Sequence, residues 1–245
     1  MLYLTVMEAA PYSIYPLGDR ALTIELGKAI NEPTHEQVIQ LYHQLLQNPI
    51  PFVTDIIPAY CSISLVYEPV LIHKAHPHLT AFQQISNQLI VRMEQPGKKQ
   101  FSNRLVQIPV CYTPLLGPDL GEVAGHAGID VNELIRLHTE RTYKVYMIGF
   151  LPGFPYMASV NEKLRMPRKA SPRQHVPAGS VGIAGEQTGI YPLESPGGWQ
   201  LIGQTPLLLF DVSEENPCLL QPGDEVIFNP ISLAEFHAIK NQLRP

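Results

Sequence analysis

Arg168, Lys169, Arg173 and His175 stand close together in the run PRKASPRQHVP. A guanidinium presents parallel N–H donors that match a carboxylate or a phosphate. Pro167, Pro172 and Pro177 stiffen the run, so less entropy is lost on ordering it. This loop reads as a holder for the carboxylate of a small acid or for a nucleotide phosphate. The residue types alone fit a solvated loop equally well. Next comes SVGIAGEQTGIYPLESPGGW, whose glycine-rich turns can aim several backbone N–H groups at one oxyanion. Ser180, Gln187, Thr188 and Ser195 add short neutral polar groups to it. Trp199, the chain's only tryptophan, reads as a core or interface anchor more readily than as a stacking platform.

Histidines supply acid–base groups near neutrality, and His126, His138 and His175 are placed for it. For His126 and His138, which fall on helices or at their ends, a cap or a satisfied core residue is the plainer alternative. His73, His76 and His78 form an HxxHxH run without a nearby acid or cysteine, which reads as an exposed loop and not as a metal site. There is no GxSxG, no Walker sequence and no cysteine with an evident base. An autonomous hydrolase or ATPase is therefore not expected, and the site should be completed by another chain.

The elements that must position these residues fall into two groups. Only Gly18, Gly27 and Gly97 occur in the first hundred residues, so glycine crowds into the later part. That shift predicts two domains, 1–98 and 99–245. In the first, ALTIEL alternates as a half-buried strand, and Thr34 with Gln37 forms a capping box for a helix. FVTDIIPAY and CSISLVYE read as strands, a second helix is expected over about 79–93, and RLVQIPV as a closing strand. The order β-α-β-β-α-β predicts an α+β, ferredoxin-like N-terminal domain. In the second part, Asp119 is expected to cap a short helix and Asp130 with Glu133 another. TYKVYMIGF, SVGIAG, TGIYPL, WQLIG, TPLLLF and DEVIFNP then follow as short strands, and Ser232 with Glu235 caps a last helix. So many short strands favour a closed barrel or sandwich.

Composition narrows the function classes. With 245 residues, 45% hydrophobic content and a net charge of −5, the chain reads as soluble and globular, without the basic face of a nucleic-acid binder. The start MLYLTVMEAA has no basic segment and carries Glu8, so no signal peptide is expected. No apolar run reaches membrane-spanning length. Cys61, Cys111 and Cys218 are widely spaced and read as thiols of a reducing cytoplasm.

Several stretches carry a resemblance: GPDL at 117–120, LHTERTYKVYMIGFLPGFPYM at 137–157, PRKASPRQHVPAGSVGIAGEQTGIYPLESPGGWQLIGQTP at 167–206 and LLQPGDEVIF at 219–228. Together with LGDRALTIELG near the start, they resemble the allophanate hydrolase subunit 1 or KipI family. A basic residue usually found in the family is replaced here by Gln204. The resemblance implies a cyclophilin-like β-barrel after the N-terminal domain. It also implies two partner proteins, one of the C (or subunit 2) type and one of the A type. The activity implied is that of the B component of an ATP-dependent 5-oxoprolinase, which opens the lactam 5-oxoproline to glutamate. ATP is then shared with the partners, and no tightly bound cofactor or metal is expected. On this reading Arg168, Arg173 and His126 are the catalytic candidates. His175, Ser180, Gln187, Thr188, Ser195 and Trp199 are the substrate- or anion-binding ones. The same resemblance allows two alternatives. One is a KipI-like inhibitor of a sensor histidine kinase, and the other is a carboxyltransferase component of a urea carboxylase or allophanate hydrolase system.

Overall fold

The computed structural model describes residues 12–94 and 104–243. The chain divides into two compact units, Met1–Ser102 and Asn103–Pro245.

The first unit runs β1 (Ser13–Pro16), β2 (Ala21–Glu25), α1 (Glu32–Gln47), β3 (Val53–Pro58), β4 (Ser62–Tyr67), α2 (Pro69–Ala75) and α3 (Ala81–Met93). Its strands form one antiparallel sheet in the order β1-β2-β4-β3. Along β4, Ile63, Leu65 and Tyr67 alternate inward with period two and meet Val38, Leu41 and Leu45 of α1 and Ile85 and Leu89 of α3. Each such aliphatic side chain contributes about 1.5–3 kcal/mol when fully buried. The first helix begins earlier than the Thr34–Gln37 spacing predicts. Asn31 is its cap, accepting the Thr34 N–H at 2.9 Å, with a proline in the first turn. Thr80 and Gln83 form the capping box of α3. His73 lies on the exposed last turn of α2 and not in a loop. No group of three or more metal-ligating side chains occurs among the described residues.

RLVQIPV does not close this unit. That strand, β5 (Leu105–Val110), pairs in parallel with the last strand of the second unit. The edge beside β2 is filled instead by β1 from YSIYP, too short a run to show a clear alternation.

The second unit continues with α4 (Leu120–Ala127), α5 (Val131–Thr139), β6 (Tyr143–Ile148), β7 (Pro155–Ala158) and β8 (Arg173–Val176). Then come β9 (Ser180–Ala184), β10 (Gln187–Ile190), β11 (Ser195–Gly197), β12 (Gln200–Gln204), β13 (Glu225–Pro230) and α6 (Leu233–Gln242). Seven strands form a sheet in the order β12-β9-β10-β7-β6-β13-β5. Its two edges approach each other through Cys111 and Gln204, which exchange backbone bonds of 2.9 and 3.1 Å. The sheet is thereby nearly closed and barrel-like, with few unpaired backbone groups left at its edges. Val145, Met157, Val181, Ile183, Ile190, Ile202, Val226 and Phe228 fill the interior, joined by Val123 of α4 and Leu134 and Leu137 of α5. TPLLLF is not a strand of this sheet; it holds only the isolated bridge of Phe210 to Cys218. Among the described residues, no helix is long and apolar enough to cross a membrane.

β8 and β11 form a separate two-stranded ribbon. It carries the basic loop back against SPGGW, with Arg173 opposite Gly197 and the Lys169 N–H donating to Gly198 O at 2.7 Å.

Candidate functional site

Alternation along β9 and β10 sorts their side chains between two cores. Val181, Ile183 and Ile190 enter the barrel interior. Gly182 and Gly189 are cross-strand partners. A side chain at either position would collide with what lies on them: Trp199 Cβ at 3.0 Å over Gly182, and Phe154 Cζ, Pro155 O and Trp199 Cζ3 at 2.9–3.0 Å over Gly189. The paired glycines form a flat seat on which Trp199 rests at 4% exposure. Phe154, Tyr191, Val176 and Leu201 complete this second cluster, with edge-on ring contacts at 5.2–5.3 Å from Phe154 to Tyr191 and Trp199. Gly189→Ala should cost about 1–3 kcal/mol by overpacking and shift the Trp199 emission. An unaltered spectrum and denaturation midpoint would contradict the seat.

Above the indole lies the guanidinium of Arg168, 5.9 Å from the ring centroid. Beside it, Asp119 is nearly fully buried and collects three donors. Arg173 Nη2 lies at 2.6 Å and Lys169 Nζ at 2.9 Å from Oδ1, and the Leu201 N–H donates to Oδ2 at 2.7 Å. Burial pushes the Asp119 carboxyl up, but the hydrogen bonds from Arg173, Leu201 and Lys169 outweigh it and hold the group below its ordinary range. Lys169 also reaches Glu122 Oε2 at 3.0 Å and Gln200 Oε1 at 3.2 Å. Its ammonium is raised, first by the Asp119 bond. Asp119 does not cap α4 through its side chain, as its sequence position predicts; the carboxylate is turned to the basic loop instead.

Arg173 has one nitrogen, Nη1, that is buried without a hydrogen-bond partner. A buried donor left unmade costs about 1–3 kcal/mol, so it marks a place where an acceptor belongs. Both Arg168 and Arg173 act on the Tyr191 phenol. Burial raises that group on balance, while the backbone N–H of Trp199 and the two cations pull it down.

The remaining expected site residues are distributed differently. His175 is exposed on β8 and faces Glu194 Oε1 at 3.3 Å. Ser195 is buried on β11, its hydroxyl donating to Pro196 O. Ser180 is buried at the start of β9, opposite Gln204. Gln187 stands half-buried at the β9–β10 hairpin. Thr188 is not a surface contact. It is fully buried, donates to Gly182 O at 3.1 Å and accepts from His138 Nε2 at 3.0 Å. Since the Thr188 hydroxyl is spent on Gly182, His138 must carry its proton on Nε2 and accept from Tyr112 O–H at Nδ1, 2.8 Å away. The His138 ring stacks on Phe228 at 4.7 Å, and burial lowers its pKa from 6.5 to about 3. It is a neutral core group and not an acid–base residue. His126 lies exposed in the last turn of α4, about 10 Å along the helix axis from Asp119. The cation cluster forms at the other end of that helix, so His126 is not part of it. Trp199 is too buried to stack on a ligand and serves as the floor under Arg168. Gln204 spends its amide on Ala178 O at 2.6 Å, at the barrel seam.

Asp119 is the site member that residue-by-residue reading misses, because its position reads as a helix cap. Phe150 is 63% exposed with φ of 68°, a left-handed backbone that a bulky residue adopts only when its surroundings impose it. Its ring meets Phe154 edge-on at 5.6 Å.

Residues 12–220 match the family described as "Carboxyltransferase domain, subdomain C and D". The chain is 42% identical over 234 residues to a protein of Bacillus subtilis (strain 168) named as the B subunit of 5-oxoprolinase, covering 94% of this chain and 98% of that one. It is 40% identical over 216 residues to the protein of the same name from Escherichia coli O157:H7, covering 88% and 94%. The solved structure of TTHA0988 in space group P212121 superposes with a TM-score of 0.75 at 38% identity and covers 87% of this chain. This chain spans 40% of that one.

Proposed function

The chain belongs to the family of carboxyltransferase domains of subdomains C and D, and from that premise we propose that it is the B subunit of an ATP-dependent 5-oxoprolinase. It would act with the A and C subunits to open 5-oxoproline to glutamate in the cytoplasm. The observation that carries this reading is the 42% identity over nearly the whole of both chains to a protein of that name. That end-to-end match favours it over the kinase-inhibitor and urea-carboxylase readings. In the same frame we read the first unit as a ferredoxin-like variant with β1 in the place of the last strand, and the second as a cyclophilin-like barrel.

A lactam resists attack because its nitrogen donates into the carbonyl, so the substrate must be held and its carbonyl polarised. The cluster around Asp119 suits the holding. Its cations are three, Arg168, Lys169 and Arg173; Asp119 and Glu122 already share Lys169 and Arg173. An excess of one positive charge suits a single carboxylate better than the phosphates of ATP, and we assign ATP to the partner subunits. What this chain supplies is a guanidinium edge fixed by a buried carboxylate, on a loop tied to SPGGW.

The test is reconstitution with the A and C partners and assay of 5-oxoproline-dependent ATP hydrolysis. Arg173→Gln in the assembled complex should lower it about tenfold or more, the size of one lost charged hydrogen bond. Unchanged turnover in a folded, assembled variant would count against the assignment.

A further inference from the structure

Two guanidinium groups of the basic loop have donor capacity that the protein does not use. Arg173 Nη2 is committed to Asp119, but Nη1 is buried with no acceptor. Arg168 is exposed, lies over Trp199, and has no carboxylate paired with it among the described residues. Both flank Tyr191: Arg173 is opposite Gly197, on which the Tyr191 ring lies, and Arg168 stands over Trp199 of the same cluster. Arg173 is fixed from beneath by Asp119, whereas the exposed Arg168 only rests on the indole, 5.9 Å from its centroid.

We propose that Arg168 and Arg173 are the two arms of a binding site for a singly charged carboxylate, entered by displacing Arg168 from Trp199. The sign and size of the local charge select the ligand class. Arg168, Lys169 and Arg173 stand against Asp119 and Glu122, leaving one positive charge in excess. Glu194, just before β11, is paired with His175. A monoanion matches that excess, whereas a doubly charged phosphate would leave the cluster net negative. A guanidinium fork also fits the planar carboxylate with two parallel hydrogen bonds. Resting on the oxoprolinase reading, the ligand is the carboxylate of 5-oxoproline, and the site orients the lactam without touching its reacting bond.

Because Trp199 is the only tryptophan and carries Arg168 on its face, its emission reports on the site. The full chain is titrated with 5-oxoproline, with 2-pyrrolidinone (the same ring without the carboxylate), with acetate and with inorganic phosphate. The expected result is a saturable change with 5-oxoproline and none with 2-pyrrolidinone. Arg168→Gln and Arg173→Gln should each weaken it about tenfold. If Arg173→Gln fails to fold because Asp119 loses its partner, the exposed Arg168→Gln carries the comparison. Saturation by acetate without preference for 5-oxoproline would support the carboxylate site and remove the lactam from it. Equal responses to 5-oxoproline and 2-pyrrolidinone, a response to phosphate alone, or no response to any carboxylate would overturn the proposal. Glutamate production by the reconstituted complex alongside any of these last results would leave the oxoprolinase reading standing without the site.

Discussion

Asp119→Ala is expected to lower folding stability by about 3–5 kcal/mol, the cost of removing one partner from a buried ion pair. The carboxylate is 2% exposed as a residue and accepts from Arg173, Lys169 and the Leu201 N–H. Its loss leaves two cations facing each other and a buried amide without an acceptor. The same change should release the basic loop, so the Trp199 emission should move together with the urea midpoint. Asp119→Asn keeps the shape but not the charge, and should fall between wild type and alanine. The pH dependence has a definite sign. Asp119 has its folded pKa lowered, so its contribution is fully present above the ordinary carboxylate range and disappears as pH falls through the folded value. An alanine variant as stable as the wild type at neutral pH would show that the cluster does not hold the loop.

The second large effect belongs to His138. Its ring bridges Tyr112 and Thr188 and stacks on Phe228, in the core between α5 and the sheet. His138→Ala should cost about 3 kcal/mol or more, from the cavity and from the hydroxyls that lose their partner. The folded pKa of about 3 lies below the ordinary 6.5, so in this window the unfolded chain binds a proton that the folded chain refuses. Stability should therefore fall as pH drops from about 6.5 towards 3, by up to about 1.4 kcal/mol per unit. Urea midpoints at pH 7 and pH 5 measure this slope, and His138→Gln should flatten it. The Asp119 contribution is lost only below the carboxylate range, so the two windows separate. A wild-type midpoint that does not change between pH 7 and pH 5 would contradict a buried neutral His138.

The short-strand character of the second unit can be read from the sequence because turn residues punctuate its apolar runs, and β9, β10, β12 and β13 lie where those runs fall. The end caps on Asp130 and Ser232 are readable for the same local reason. What local pattern does not carry is pairing. RLVQIPV is a strand by its residues, yet its partner is β13, more than a hundred positions away, and no periodicity encodes that choice. The same limit applies to the site. Arg168 and Arg173 announce an anion holder by residue type, but Asp119 looks like an ordinary helix cap until the fold brings it under the basic loop. Thr188 looks like a surface contact by type, and alternation along β10 turns it inward to meet His138, for which a satisfied core residue is already the plainer reading. Gly182 and Gly189 show in the sequence as glycines within the SVGIAG and TGIYPL strands, open to a close approach. Their use as a seat for Trp199 depends on the β9–β10 register.

Glutamate release from 5-oxoproline with ATP tests the assignment at its root. The purified chain is assayed alone, with its A and C partners together, and with each partner omitted. Glutamate is expected only in the complete mixture, with none from this chain by itself. No glutamate from folded and demonstrably associated subunits would contradict the assignment of this chain as the B subunit.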